Sequence, residues 1–343
     1  MNPVDPALRQ QIMQQSQGVM SLSLAYVGIT NHLYSLLDAH GASTVAELAA
    51  LARVDEAYLQ RWADAAAAFG HLAREGERFS LTPMGRAFLP DVPGTMMPVA
   101  MQAVMAAFMG ERVSRFMSTG ERPGERVLGE PSSILPWFGP MLEASFGPVF
   151  AEAVLPRLPE VAALGERGGL AVDLGCGSGW YLRRLAARFP RLRGVGLDMM
   201  PANIATAQEA AAREGLADRL AFREGDLHRF AVDEPVDLVA MNRALHHVWA
   251  EGPSRVMSGL AGHLAPGGLL VVWEPRWPDD PAGLASDPRL RGMAYQNLSE
   301  HVQGNHFLRP TEVEAAMRQA GLEPTTHLFA EGTEMVVVGR KAG

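Results

Sequence analysis

The sequence is poor in the features that mark several protein classes. One of its 343 residues is a cysteine, Cys176, so neither a disulfide framework nor a thiolate metal cluster can be built, and the chain suits a reducing, cytoplasmic compartment. Long apolar runs are lacking: no stretch approaches the roughly 18 residues of a spanning helix. The apolar segment Val19–Ile29 is short, is interrupted by Ser21 and Ser23, and follows Gln14, Gln15 and Gln17 rather than basic residues, so it does not read as a signal peptide. Basic charge is in deficit, with 30 Lys and Arg against 38 Asp and Glu, and the resulting net charge of -8 disfavours general affinity for nucleic acid. What is present, 48% hydrophobic residues in a long chain, is a globular composition sufficient for about two domains.

The first hundred residues read as helices with one small hairpin. Asn31 to Ala39 places Leu33, Leu36 and Leu37 at helical spacing and stops at Gly41. Ser43 or Thr44 can cap a second helix through Ala52, with Glu47 placed to complete a capping box with Thr44. A third helix starts at Asp55, with Tyr58, Leu59, Trp62 and Ala66 expected on one buried face. Glu75-Gly76-Glu77 between two short strand-like segments predicts a hairpin. Three helices and a hairpin make a winged-helix pattern, but the third helix carries Asp55, Glu56 and Asp64 against Arg61, the wrong sign for a reader of DNA. A structural or dimerising role is expected instead, over residues 1–94.

Residues 95–167 are expected to be a helical connector and substrate cap. Met97, Met101, Met105 and Met109 form one stripe, read first as core or dimer interface and second as an adaptable pocket lining. Pro136, Gly139, Pro140, Gly147 and Pro148 are expected to break this connector into short pieces. From Gly168 onward, short apolar strands alternate with helices, which predicts a parallel sheet covered on both faces, and the tail predicts an antiparallel strand pair around Glu331-Gly332-Thr333.

The sharpest chemical signal is Asp173-Leu174-Gly175-Cys176-Gly177-Ser178-Gly179, directly after the first of these strands. Glycines there let the backbone approach a ligand where open parallel sheets bind one. Asp198 ends the next strand, where a carboxylate can accept from ribose hydroxyls, and Asp226-Leu227 follows the third. This glycine loop with two following acids resembles the class I S-adenosylmethionine-dependent methyltransferases over residues 168–343. The resemblance implies a Rossmann-like α/β sheet, parallel with an antiparallel C-terminal strand, joined to an N-terminal winged-helix dimerisation domain. It also implies that Asp173, Gly175, Cys176, Gly177 and Gly179 lie at the methionine end of the cofactor, Asp198 at the ribose, and Met199, Asp226 and Leu227 at the adenine. Asn242 and Arg243 are expected to face the cofactor from the fourth strand end.

The N-terminal half is similar to natural-product O- and C-methyltransferases, which implies a small-molecule substrate and a homodimer, with neither membrane nor nucleic acid as partner. In the O-methyltransferases of that group a histidine after strand four is the base, and His246 stands there; His247 departs from the acidic residue usual at the next position. An imidazole suits proton removal near neutral pH. A second expectation joins His247, with His246 as alternative, to Glu274 and His301 in a two-histidine, one-carboxylate site for a divalent metal ion. That site would serve C-methylation of a 2-oxo acid. The catalytic set expected is therefore His246, His247, Glu274 and His301.

Overall fold

The computed structural model describes residues 4–130, 135–227 and 234–343. Residues 1–3 of the expected N-terminal domain and 131–134 of the expected connector lie outside the described residues. The chain forms two compact units, Met1–Glu111 with Pro131–Ser145, and Arg112–Glu130 with Phe146–Gly343, so the expected connector is divided between them. No helix among the described residues is long and apolar enough to cross a membrane.

The first unit contains α1 (Pro6–Thr30), α2 (Leu33–His40), β1 (Ser43–Thr44), α3 (Val45–Ala52), α4 (Glu56–Ala68), β2 (Leu72–Glu75), β3 (Arg78–Leu81) and α5 (Pro83–Arg86). It also holds the first part of both α6 (Met97–Phe116) and α7 (Phe138–Val149). The predicted capping box forms: Thr44 Oγ1 accepts from Glu47 N at 3.2 Å, and Glu47 accepts from Thr44 N at 2.8 Å. Asp55 caps α4 through Tyr58 N at 2.9 Å. The β2–β3 hairpin pairs Glu75 with Arg78, and β1 adds to its other edge.

Leu59, Trp62 and Ala66 are buried as expected, joined by Ala63, but Tyr58 is 81% exposed. The buried set steps by three and four residues, and Tyr58, one residue before Leu59, is turned about 100° away from it. Met97, Met101 and Met109 are buried, the first two in the core of this unit, while Met105 is only half-buried. The connector is divided into short segments, with Pro136 in a separate 3-10 turn, but Gly139, Pro140, Gly147 and Pro148 all lie within one helix. α7 runs through Gly139 and Pro140, because a proline in the first turn has no intrahelical N–H partner to lose. Pro148 is followed by a π-helical turn at Phe150–Val154, a local widening that accommodates the missing donor.

The second unit is built on a seven-stranded sheet. Its elements are α8 (Pro159–Arg167), β4 (Leu170–Leu174), α9 (Trp180–Arg188), β5 (Arg193–Asp198), α10 (Pro201–Arg213), β6 (Leu220–Glu224) and β7 (Val236–Asn242). These are followed by α11 (Leu245–Val248), α12 (Pro253–His263), β8 (Leu264–Pro275), α13 (Gly283–Ser286), α14 (Pro288–Gln303), α15 (Pro310–Gln319), β9 (Leu322–Phe329) and β10 (Glu334–Lys341). The strand order is β6-β5-β4-β7-β8-β10-β9, in which β10 runs antiparallel to both neighbours and the other pairings are parallel. Alternation along β4 sends Ala171 to a core with α8, α9 and α10, and Leu170, Val172 and Leu174 to a second core with α12 and α15. Because the order reverses between β5 and β7, the C-terminal ends of β4, β5 and β7 open together, which is where the candidate site residues gather.

Helix α1 rests on the first unit through Gly28, where an added Cβ would lie 2.5 Å from Tyr34 Cε2 and 2.8 Å from Trp62 Cζ2. Ten residues earlier on the same helix, Gly18 has nothing within 4 Å of such a Cβ. Gly28→Ala is expected to destabilise this unit by about 1–3 kcal/mol through overpacking, whereas Gly18→Ala stabilises the helix by about 0.5–1 kcal/mol. Urea unfolding of both variants checks the opposite signs.

Candidate active site

The glycine loop leaves β4 with Gly175, Gly177 and Gly179 all at positive φ, +72°, +53° and +73°. Side chains are excluded at its two ends: a Cβ on Gly175 would meet Ala244 Cβ at 2.8 Å, and one on Gly179 the Phe222 ring at 2.6 Å. At Gly177 the space is open for at least 4 Å. Gly175 N and Cys176 N donate to Leu197 O at 2.8 and 3.0 Å, and Gly177 N donates to Asp198 Oδ2 at 2.9 Å. The loop is thus laced to the end of β5.

Asp198 also accepts from Met200 N at 2.9 Å and Asn203 Nδ2 at 3.1 Å. A carboxylate has about four lone-pair sites, so it retains acceptor capacity for a ligand hydroxyl. Asp173, at the end of β4, is fully buried with Asn242 Nδ2 donating to it at 3.0 Å. Burial, aided by the nearby Asp198 charge and opposed by the Asn242 bond, pushes its carboxyl up to about 8. Burial likewise pushes the Cys176 thiol up, with Asp173 and Asp198 adding to the effect, so it is held protonated.

Three buried polar atoms around this loop, Ser178 Oγ, Tyr181 Oη and Asn242 Oδ1, have no hydrogen-bond partner among the described residues. Orphaned polar atoms, an open glycine and two buried carboxylates suit a cofactor with an ammonium and ribose hydroxyls, as S-adenosylmethionine has. Met199 is exposed beside them. Asp226 and Leu227 line a cavity of about 450 Å³ together with Met241, Val248 and, from α12, Arg255 and His263.

Asn242 and Arg243 point in different directions. Asn242 faces Asp173, whereas Arg243, at φ +55°, donates to Glu334 at 2.7 Å and lies over the Phe146 ring at 4.4 Å. A left-handed arginine costs about 1–3 kcal/mol, offset here by its backbone N–H to Trp273 O at 2.7 Å and by the Glu334 pair.

That turn starts α11, which carries both histidines. Glu274, at the end of β8 and 1% exposed, accepts from Leu245 N at 2.8 Å, His246 N at 3.3 Å and His246 Nδ1 at 2.7 Å. Burial alone would push the Glu274 carboxyl up, but its contacts with His246, then Arg243 and His247, hold it below the usual carboxylate range. An ionised Glu274 requires the proton on His246 Nδ1, so in the neutral ring the lone pair is on Nε2. His247 Nδ1 lies 3.0 Å from Glu125 Oε1 and 2.8 Å from Asn305 Nδ2. Burial pushes this imidazole down, yet the Glu125 bond and charge, with Glu300 and Glu274 behind them, raise it above the usual histidine range.

The residues expected as metal donors are not brought together as one set. Glu274 is spent on α11, and His301 is exposed on α14, lining a different cavity of about 190 Å³ with Phe116 and Leu298. Instead, His246, His247 and Glu300 each offer one donor atom within 4.8 Å of the others. Glu125, Glu300, Gln303 and Asn305 were not among the expected site residues. For Glu300 a signal existed: Leu290, Met293, Asn297 and Glu300 follow one another by three, four and three residues, a stripe that turns Glu300 inward and its neighbour His301 away.

Residues 171–268 match the family described as methyltransferase domain. A trans-aconitate 2-methyltransferase of Methylobacterium radiotolerans is 37% identical over 125 residues, 36% of this chain and 43% of that protein. One from Streptomyces coelicolor is 34% identical over 122 residues, 36% and 39% of the two chains. The chain thus spans less than half the length of these curated relatives. Among solved structures, human N-acetylserotonin methyltransferase in complex with S-adenosylmethionine superposes with a TM-score of 0.73 at 19% identity, over 100% of both chains. An O-methyltransferase family protein from Burkholderia thailandensis gives 0.71 at 19%, over 100% of this chain and 99% of that one. Mitomycin 7-O-methyltransferase gives 0.69 at 22%, over 98% of each. Residues 171–268, which hold the glycine loop and its two acids, thus match a methyltransferase domain, and the chain shares the fold of these solved methyltransferases, with the reversed strand β10 and an N-terminal winged-helix unit.

Proposed function

We propose that the protein transfers a methyl group from S-adenosylmethionine to a hydroxyl oxygen of a small metabolite, with His246 as general base. The observation that carries this is the 2.7 Å bond from His246 Nδ1 to a Glu274 carboxylate that is itself held by two backbone amides. The bound cofactor supplies a sulfonium methyl, which needs in-line alignment with its acceptor more than any covalent help. The protein's part is to fix the imidazole so that Nε2 takes the hydroxyl proton, while Glu274 stabilises the imidazolium that results. Asp198 would receive the ribose, and Asp173 with Asn242, Ser178 and Tyr181 the amino-acid end of the cofactor. The proposed adenine neighbours are Met199, Asp226 and Leu227, and the glycines 175, 177 and 179 with Cys176 provide the close backbone. Arg243 would act behind them, through Glu334.

We further propose a homodimer formed through residues 1–94, acting in the cytoplasm. Leu8, Ile12, Val19 and Met20 of α1 are about half exposed or more, which supports a partner for that helix. Residues 95–167 are proposed to cap the substrate.

A second reading rests on the proximity of His246, His247 and Glu300. Two imidazoles and a carboxylate fit a divalent ion such as Zn²⁺ or Fe²⁺, which would acidify the carbon of a 2-oxo acid for C-methylation.

His246→Ala is expected to leave S-adenosylhomocysteine affinity intact and to lower kcat by about 10²- to 10⁴-fold. Glu274→Gln, which favours the other imidazole tautomer, should fall in the same range; full activity in both variants would refute the base assignment. For the metal, elemental analysis and chelation decide: a metal-free, chelator-insensitive enzyme excludes the second reading, and a stoichiometric metal whose removal abolishes turnover favours it. Asp173 carries a pH test. Its folded-state carboxyl holds a proton up to about pH 8, against 3.8 as the ordinary value, so between these limits the folded protein binds a proton that the unfolded chain has released, and stability falls as pH rises. Urea unfolding without cofactor at several pH values should show this slope, and Asp173→Asn should flatten it.

A further inference from the structure

Helix α14 brings a second polar pair to the imidazole. Glu300 Oε2 lies 3.7 Å from His246 Nε2 and accepts from Gln303 Nε2 at 2.9 Å. Three residues apart, the two share one face of the helix. The carboxylate settles the amide's orientation, since only its NH₂ end can donate. The other end, Gln303 Oε1, is buried without a hydrogen-bond partner among the described residues, on a residue only 9% exposed. A buried carbonyl left unpaired costs about 1–3 kcal/mol, which a ligand's donor would remove.

The pair offers acceptors only, the Glu300 carboxylate and the Gln303 carbonyl, and leaves His246 Nε2 for a hydroxyl. His247 and Arg243 are each paired with an anion, Glu125 and Glu334. An organic acid placed here would bring its carboxylate against that of Glu300. An ammonium, with three donors, matches the set.

We propose that Glu300 and Gln303 are specificity-determining residues that select a hydroxyl-bearing amine, binding its ammonium group and rejecting the corresponding carboxylic acid. This rests on the methyl-transfer reading above, because His246 Nε2 must be free to face the substrate hydroxyl.

The test uses two phenols alike except at the chain end, tyramine and 4-hydroxyphenylpropanoate. Each is titrated calorimetrically into chelator-treated protein saturated with S-adenosylhomocysteine. Tyramine is expected to bind at least about tenfold more tightly, as a charge-assisted contact of this kind allows. Glu300→Gln should bring the two phenols within about threefold of each other, and Gln303→Leu should weaken tyramine by about fivefold. Unchanged S-adenosylhomocysteine affinity in both variants shows that they fold. Failure of tyramine to bind, a preference for the acid, or a preference that survives Glu300→Gln overturns the assignment. Transfer of labelled methyl is measured separately: its absence with the preference intact refutes the methyl-transfer reading alone, and its presence without the preference refutes only the amine selection.

Discussion

The buried carboxylate of Glu274 is the contact on which the arrangement of this site depends. An ionised group in the interior is tolerated only when its lone pairs are filled, and Glu274 fills them with two amides of α11 and the His246 ring. One side chain therefore decides where the short helix begins, how the imidazole is turned and which ring nitrogen carries the proton. β7 and β8 are parallel neighbours, with Asn242 beside Trp273, so residues just beyond their C-terminal ends meet without a long loop. The reversed strand β10 contributes from the far side: Glu334 holds both Arg243 and the Trp273 indole, pinning the left-handed residue from which α11 departs.

A second anchor works at β4 and β5. Asp198 takes amides from the glycine loop and from the start of α10, so one carboxylate ties the loop, the strand end and the helix together. Placing Asp173 and Asp198 close together in a buried place raises the energy of the ligand-free protein. On the proposed function, a bound ammonium would favour release of the Asp173 proton and so relieve that cost.

Much of this was legible in the sequence because it is local or strictly periodic. Strand alternation, the Thr44–Glu47 capping box and the spacing of Gly175, Gly177 and Gly179 are patterns that backbone geometry imposes. His246 and Glu274 were recognisable as chemistry, although their union required the strand order. What escaped was set by context. Tyr58 lies beside a buried stripe whose phase leaves it out; Pro140 has the signature of a breaker but occupies a first turn; His301 is a ligand type, yet the helix phase turns Glu300 inward instead. Glu125 arrives from a segment remote in sequence, and no local signal announces a contact across more than a hundred residues. Arg243 reads as a cofactor contact by position alone, and only the partner on β10 turns it away.

The position of Cys176 has a practical consequence. It is the single thiol of the chain, it lies inside the glycine loop, and it is 3% exposed. Alkylating reagents react with the thiolate of an accessible sulfur, so any label that attaches must do so while this loop is open. The rate of modification is then a clock for loop opening in the native protein, read at one defined atom and without engineering, and a ligand seated on the loop would slow it.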